Sequence, residues 1–211
     1  TEIGVGWGLV SASFALASGT GTPAPQSRSI RSMFGSGSPA AAGSAMAVLS
    51  TGVAAAPSQT NPNHVAFQPG SENGTQSAAP IDWLAANGGA IPVAPGCPSV
   101  VSTTSIDPIL LSLRIRVPTN ANSFRFSARV LASDYPEWTC SNTNDVFVAL
   151  LDSAYASTPQ NPPDRNLARY TAAPGQVYPL GVNLAAGNTG LFTQCLNGNT
   201  GCVAGAVAGV T

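Results

Sequence analysis

The chain has 211 residues, of which only 8% are charged, and it carries a formal net charge of −1 with no lysine. This length allows one sizeable hydrophobic core, while the scarcity of cations argues against nucleic-acid binding, which needs clustered positive charge. The 22 glycines and 18 prolines favour β-structure with many turns over long helices.

Residues 1–16 predict a strand with one bare face. Four large residues alternate with glycine in this segment: Ile3, Val5, Trp7 and Leu9. Glycine on one face of a strand admits the close approach of another backbone on that side. The segment is therefore either an ordinary first strand of the domain, or an edge strand that is exchanged with a neighbouring copy and completes its sheet. On the second interpretation the four large residues are candidate assembly residues.

The next predicted elements are separated by long polar stretches. Residues 45–52 predict a short buried strand that ends in a turn, with Met46, Val48 and Leu49 as core residues. Residues 53–80 predict a surface excursion, in which Asn73 begins a sequence that is either a glycosylation sequon or a plain turn. Residues 81–84 then predict the start of a short helix or turn that packs Trp83 against the sheet.

Two amphipathic segments predict a β-hairpin. Large and polar residues alternate over residues 111–117 and again over residues 123–130, with a short loop between them. The register that aligns their apolar faces sets Arg116 opposite Arg125. The outer face then collects four of the eight arginines, Arg114, Arg116, Arg125 and Arg129. These guanidinium groups either splay into water or bind an anionic partner, such as a carboxylate of another subunit or an acidic polysaccharide.

The loop of residues 134–145 lies between two predicted strands and is rich in side chains that can bind a metal ion or take part in catalysis. Its hard oxygen donors are candidate calcium ligands, namely Asp134, Glu137, Asn144 and Asp145. Their spacing is not that of an EF-hand loop. The alternative is that the polar side chains cap backbone N–H groups while Tyr135 and Trp138 pin the loop to the core.

Four cysteines, an even number, favour disulfide bonds over free thiols or a metal site. They are Cys97, Cys140, Cys195 and Cys202. No two of them form a CxxC motif, and His64 is the sole histidine, so a zinc site is poorly supplied. The sequence allows three pairings, of which we prefer Cys97–Cys140 with Cys195–Cys202. Disulfides place a protein outside the reducing cytosol.

The sequence lacks the motifs of common enzyme classes. His64 lies in an Asn/Pro-rich stretch, and there is no nucleophile elbow, phosphate-binding loop or HExxH motif. Asp134 and Glu137 would form an acid–base pair within one loop, whereas hydrolytic pairs usually flank a cleft from separate elements. We therefore expect a non-enzymatic protein, with no cofactor apart from calcium on the metal interpretation.

The same loop and its flanks resemble a known protein family. The matching positions are Ser133, Asp134, Tyr135, Pro136, Glu137, Trp138, Ser141, Asn144, Asp145, Phe147 and Leu150. They follow the pattern SxEYPEFxxSxxNDxFxxxL of the choice-of-anchor L domains, with Asp134 in place of Glu and Trp138 in place of Phe. The tetrapeptide Leu49-Ser50-Thr51-Gly52 also resembles a strand of this family.

The resemblance implies a secreted all-β domain from a bacterial surface or matrix protein, with no assigned activity. Domains of this family continue beyond the region of Cys195 into further strands that this chain lacks. We therefore expect either that the chain is a fragment or that another copy supplies the missing strands, because an open sheet edge is a template for pairing.

These observations predict an all-β protein, namely a single β-sandwich or jelly-roll-like domain over residues 1–211. It should have long Gly/Pro/Ser-rich loops and at most one or two short helices. We expect a secreted structural or adhesive subunit that assembles with itself into a filament or surface layer by strand addition, since contacts that do not close build filaments. The alternative is a monomeric calcium-stabilised binding module for a glycan or a protein partner. No apolar run reaches the roughly 20 residues of a membrane span.

Overall fold

A computed structural model describes residues 6–34, 38–54, 74–98, 102–132, 134–135, 138–141, 145–155, 158, 160–186 and 189–192. Strands dominate the secondary structure of these residues, and the two α-helices among them are short. The predicted all-β class is therefore confirmed. Among the described residues, no helix combines the length and the apolar character that crossing a membrane would require.

The strands form several small sheets. In chain order the strands are β1 (Gly8–Ala15), β2 (Arg28–Arg31), β3 (Met33–Phe34), β4 (Ser38–Pro39), β5 (Met46–Leu49), β6 (Gln76–Ala78), β7 (Thr104–Ile106), β8 (Leu110–Arg116), β9 (Val146–Phe147), β10 (Arg169–Ala172) and β11 (Gln176–Gly181). The helices are α1 (Ile81–Ala86) and α2 (Asn183–Ala186), and a 3-10 turn covers Pro25–Ser27. Strand β5 lies within the predicted strand of residues 45–52, but the predicted burial is wrong, because Met46 and Val48 are half-buried and Leu49 is exposed.

The chain divides into two compact units. One, called here the ribbon unit, contains the described residues up to Ser77 and those of Ile106–Arg129; the other, the core unit, contains those of Ala78–Ser105 and Val130–Gln194. The division falls within β6 and β7, which pair with each other.

The ribbon unit is built from separate two-stranded sheets. Strand β1 pairs with β8, β2 with β5, and β3 with β4, and the first and second of these pairings are antiparallel over seven and four matched positions. Among its described residues the one buried hydrophobic side chain is that of Ala54. A two-stranded sheet is marginally stable in water unless its apolar face is covered. This unit therefore has little interior of its own.

The core unit holds the buried apolar side chains. Trp83 of α1 is 2% exposed and packs with Ala79 and Leu84 against Val146, Val148 and Leu150. The helix begins directly after Pro80, and its Trp83 indole N–H donates to Asp164 Oδ2 at 3.3 Å. Strands β10, β11 and β9 form a three-stranded antiparallel sheet, and Leu184 of α2 is fully buried. Of the helix or turn predicted at residues 81–84, the structure has the helix, and the predicted inward packing of Trp83 is confirmed.

The predicted hairpin of residues 111–117 and 123–130 is wrong. Strand β8 is present, but its partner is β1, and residues 121–132 contain no strand. The pairing with β1 sets Arg116 opposite Gly8 and Arg114 opposite Ser11, whereas the hairpin would have set Arg116 against Arg125. Like charges directly opposite each other destabilise a sheet, which favours the observed partner.

Candidate assembly surface and signature loop

The β1–β8 ribbon has one apolar face and one polar face. Residues opposite each other in an antiparallel pair share a face. The apolar face consists of three cross-strand pairs, Leu9–Ile115, Ala12–Leu113 and Phe14–Leu111. The polar face consists of Gly8–Arg116, Ser11–Arg114 and Ser13–Ser112, followed by Ala15–Leu110 at the end of the ribbon. The segregation follows from the strict alternation of β8, together with a register shift between Leu9 and Ser11 that keeps β1 in phase with it.

The apolar face of the ribbon is open to solvent. Leu113 is 52% exposed and Ile115 is 56% exposed, although both belong to residue types that normally lie inside. One end of the face is partly covered, since the Arg28 guanidinium lies 4.8 Å above the ring centre of Phe14. The rest is a contiguous apolar surface of the kind that marks an interaction site.

The predicted assembly residues fall around this ribbon. Leu9 is paired in β1, and Trp7 precedes the strand and is exposed. Ile3 and Val5 lie outside the described residues. The strand begins at Gly8, whereas the alternation of large residues and glycine predicted a start near Ile3. It lies within residues 1–16, and it is an edge strand because its sheet has two strands.

A glycine-rich turn joins β1 to the rest of the ribbon unit. The Gly19 N–H donates to the Leu16 carbonyl at 2.9 Å, and Gly19 and Gly21 both have positive φ. A Cβ on Gly21 would lie 2.9 Å from Leu16 Cδ1, so the Leu16 side chain would have to shift, while the positive φ of Gly21 is what favours glycine there.

The four arginines that sequence analysis placed on one face belong to two different segments. Arg114 and Arg116 are on the polar face of the ribbon, where Arg116 Nη1–H donates to the Gly6 carbonyl at 3.3 Å. Arg125 and Arg129 lie on the unpaired segment of residues 121–132, and Arg129 Nη1–H donates to the Pro39 carbonyl at 3.5 Å. Within the described residues, the sole salt bridge joins two others, Arg165 and Asp82, at 2.9 Å.

Formal charge is unevenly distributed between the units. Six of the eight arginines but only three of the nine acidic residues lie in the sequence ranges of the ribbon unit, which gives it a charge of +3. The ranges of the core unit contain the other two arginines and six acidic residues, which gives −4. The formal charges of the two sequence ranges are thus of opposite sign.

The loop of residues 134–145, called here the signature loop, has backbone hydrogen bonds of its own among its described residues. The Trp138 N–H donates to the Asp134 carbonyl at 2.8 Å, and the Ser141 N–H and hydroxyl donate to the Trp138 carbonyl at 3.2 and 2.6 Å. Cys140 has a φ of 61°, a left-handed conformation that closes the turn. Its N–H donates to Asn183 Oδ1 at 2.6 Å, which connects the loop to the start of α2.

A disulfide between Cys97 and Cys140 fixes the same loop, as predicted, with the Cα atoms 4.9 Å apart. The other preferred pair, Cys195–Cys202, lies outside the described residues. The loop is therefore anchored through Cys140, by one covalent bond and one hydrogen bond.

The predicted role of Trp138 is wrong. Its side chain is 56% exposed, and that of Tyr135 is exposed as well, so neither pins the loop to the core. Trp83 occupies the core position instead. The disulfide and the hydrogen bond of Cys140 make an aromatic anchor unnecessary.

Two of the predicted calcium ligands lie close enough to interact. Burial, together with the negative charge of Asp134, raises the pKa of Asp145 from 3.8 to about 6. The other two predicted ligands, Glu137 and Asn144, lie outside the described residues. Among the residues that are described, no three His, Cys, Asp or Glu side chains converge on one point. The pair could attract a cation, but calcium takes six to eight oxygen ligands, of which this pair supplies a part.

Two buried polar side chains that bind backbone N–H groups were not predicted from the sequence. Asp107 is buried, and its carboxylate accepts from the Gly74 N–H at 3.1 Å and the Thr75 N–H at 2.8 Å. Asn73, the acceptor of the sequon that these residues complete, lies outside the described residues, as does His64. Asn166 is 1% exposed; its Oδ1 accepts from the N–H groups of Ala149 and Ala168, each at 3.0 Å.

A sequence signal was available for one further element. Strands β10 and β11 form a hairpin around the Pro174-Gly175 dipeptide, which is a standard turn signal between segments rich in Tyr and Val. The several prolines of residues 155–190 are more typical of a loop, so this hairpin was not predicted from the sequence. No signal in a single sequence distinguishes Asn166 or Asp107 from an exposed turn residue.

Comparison with known proteins found no match among family models, curated proteins or solved structures. The resemblance to choice-of-anchor L domains therefore stays a prediction.

Proposed function

We propose that this chain is a non-enzymatic structural subunit that assembles with copies of itself through strand exchange at the β1–β8 ribbon. The observation that carries the proposal is the open apolar face of the ribbon, on which Leu113 and Ile115 are more than half exposed. Exchange rebuilds the same ribbon between two chains, and packing of such ribbons against each other would bury the apolar faces that a monomer leaves in water.

Strand exchange uses contacts that the chain already possesses. Because β1 is attached through the turn at Gly19 and Gly21, it can leave its own β8 and pair with β8 of a neighbour in the same register. Each chain then donates one strand and accepts another. When each chain donates to the next rather than back to its own donor, these contacts are heterologous, and they propagate into filaments where the rotation between copies does not close a ring.

The composition of the chain permits close contact between copies. Strand exchange brings β1 of one ribbon unit against β8 of another, and each of these units has a formal charge of only +3. The low overall proportion of charged residues, 8%, keeps the repulsion between copies small.

The proposed setting is extracellular, on the surface or in the matrix of a bacterium. The Cys97–Cys140 disulfide supports an oxidising compartment. We also propose that the small sheets of the chain complete a β-sandwich or jelly-roll arrangement, which strands from neighbouring copies would finish. The matching positions of the signature loop support this setting by resemblance.

The proposal is tested by deleting residues 1–15 from the full chain. Sedimentation velocity and negative-stain electron microscopy across a concentration series should show filaments for the complete chain and none for the shortened chain. A synthetic peptide of residues 6–15 should bind the shortened chain, because it restores β1. A monodisperse monomer from the complete chain at high concentration would defeat the proposal.

A second candidate function is that of a monomeric calcium-stabilised binding module for a glycan or a protein partner. The observation in its favour is the repulsion between Asp134 and Asp145, which a bound cation would relieve. The exposed aromatic rings of Tyr135 and Trp138 on the same loop offer a surface on which a sugar ring could stack.

Isothermal titration calorimetry separates the second candidate from the first. A calcium module should release heat on calcium addition, and its melting temperature should fall when a chelator is added. Absence of both effects removes the calcium module and leaves strand exchange as the remaining candidate.

A further inference from the structure

Residues 123–129 have the pattern of a strand but no partner strand. Their side chains are all exposed, and none of these residues has a positive φ. Within the described part of the chain, these residues make one hydrogen bond, from the Arg129 side chain to the Pro39 carbonyl. The backbone N–H and C=O groups from Ser123 to Ala128 therefore remain available for a ladder.

One face of this segment is aromatic and the other cationic. The rings of Phe124 and Phe126 stack on the same side, with centroids 6.4 Å apart and planes 18° apart. They are 58% and 49% exposed. Arg125 and Arg129 alternate with them, separated by serine and alanine. The segment thus presents an apolar face and a set of unpaired backbone groups together.

The segment is complementary to itself in one antiparallel register. When two copies pair about Phe126, Phe124 of each faces Ala128 of the other, so large side chains meet small ones. On the reverse face Arg125 faces Ser127, and Arg129 faces Ser123.

A shift of the symmetric centre by one residue in either direction removes this complementarity. A centre at Ser127 sets Arg125 directly against Arg129, and a centre at Arg125 sets that residue against itself. Because like charges opposite each other are destabilising, the register centred on Phe126 is favoured over both neighbours.

We propose that residues 123–129 pair with the same residues of a second copy, in an antiparallel two-stranded contact centred on Phe126. The contact is isologous and closes as a dimer. It goes beyond the proposed exchange of β1, which is heterologous, and does not depend on it. If both contacts form, the dimer joins chains that strand exchange links into filaments.

Substitutions of Ser127 with opposite charges test the contact. In the paired state Ser127 of each copy faces Arg125 of the other, so two symmetric pairs change together. Ser127→Glu should tighten the dimer and Ser127→Arg should weaken it, each by about 2- to 30-fold in the dissociation constant. Ser44→Arg is the matched control, because Ser44 is exposed and lies outside the segment.

Sedimentation equilibrium of the full chain at low ionic strength measures these constants, since added salt screens the effect. Opposite shifts for the two Ser127 variants, with no shift for Ser44→Arg, support the proposal. Equal shifts of the Glu and Arg variants, or none, overturn it. Folding defects would move both variants in the same direction and are therefore distinguishable.

Cysteine cross-linking provides a second measurement of the register. Phe126→Cys places two thiols directly opposite each other and should give a disulfide-linked dimer on mild oxidation. Phe124→Cys removes a similar ring but sets its thiols four positions apart, which is beyond the reach of a disulfide. Equal yields from the two variants would contradict the register. Loss of filaments on deleting residues 1–15, with cross-linking at Phe126→Cys retained, would separate this contact from strand exchange.

Discussion

Leu113 of β8 lies directly opposite Ala12 of β1, in the middle of the apolar face that the ribbon exposes. The large side chain stands beside a small one, so the surface has a ridge and an adjacent hollow. A partner surface can pack into this relief more closely than onto a flat face. The pair therefore identifies the position at which a substitution should affect assembly most.

Leu113→Lys should weaken self-association, because packing of the apolar faces of two ribbons would bury an unpaired ammonium group. Ser112→Lys is the matched control, since it adds the same charge at the next residue on the polar face. We expect Leu113→Lys to weaken association by at least about tenfold in sedimentation velocity, which corresponds to about 1.4 kcal/mol. Equal effects of both variants would show that net charge, rather than the apolar face, governs assembly.

Asp145→Asn should stabilise the protein at neutral pH. The pKa of Asp145 is raised in the folded state from 3.8 to about 6, so its ionised form opposes folding. The stability linked to this group is fully present below about pH 4 and is lost as the pH rises through about 6. The wild type should therefore lose up to about 3 kcal/mol relative to Asp145→Asn between pH 4 and pH 7.

Chemical denaturation of both proteins at several pH values measures this difference. Asp152→Asn is the control, because Asp152 is exposed in the same segment of the chain. A difference between wild type and Asp145→Asn that does not vary with pH would contradict the raised pKa. If calcium binds at the pair, adding it should remove the advantage of Asp145→Asn at pH 7.

Replacement of Cys97 and Cys140 by serine should lower the free energy of unfolding by about 4 kcal/mol. The disulfide closes a loop with a sequence separation of 43, and the unfolded chain gains the corresponding freedom when it is removed. The native contacts of the signature loop depend on Cys140, so protease cleavage within residues 134–141 should also accelerate. Unchanged stability and cleavage would mean that the hydrogen bond from Cys140 to Asn183 holds the loop without help.

Asn166→Ala should destabilise the core unit by about 2–4 kcal/mol, since it leaves the buried N–H groups of Ala149 and Ala168 without their acceptor. Asn161→Ala is the control at a partly exposed asparagine nearby, where the expected change is within about 0.5 kcal/mol. Thermal and denaturant unfolding would measure both. Similar values for the two variants would contradict the structural role of Asn166.

Local patterns in the sequence predicted elements better than they predicted partners. The alternation of β8 and the composition around Trp83 each identify an element, because side-chain periodicity is a local property. The hairpin prediction was wrong because periodicity says which face is buried and not which strand lies alongside. The choice of β1 as the partner depends on cross-strand charge and size at residues far apart in the chain.

In the candidate site, too, the sequence predicted some features, and others depend on the fold. Cys97–Cys140 was preferred among three pairings and is present, whereas the sequence could not tell which tryptophan enters the core. Both tryptophans have polar neighbours in the sequence, Asp82 before Trp83 and Glu137 before Trp138, and only the packing of α1 against Val146 and Leu150 decides between them. Buried Asn166 and Asp107 gain their roles from backbone groups that the fold brings to them.

The central claim, exchange of β1 between copies, is tested most directly by the double variant Ser13→Cys/Ser112→Cys. These residues are opposite each other in the ribbon, so the two thiols can form a disulfide wherever β1 pairs with β8. Oxidation at concentrations that allow assembly, followed by non-reducing electrophoresis, distinguishes the source of β1. Strand exchange predicts a ladder of covalently linked chains that a reductant collapses to monomer. Internally linked monomer alone, at every concentration, would contradict it.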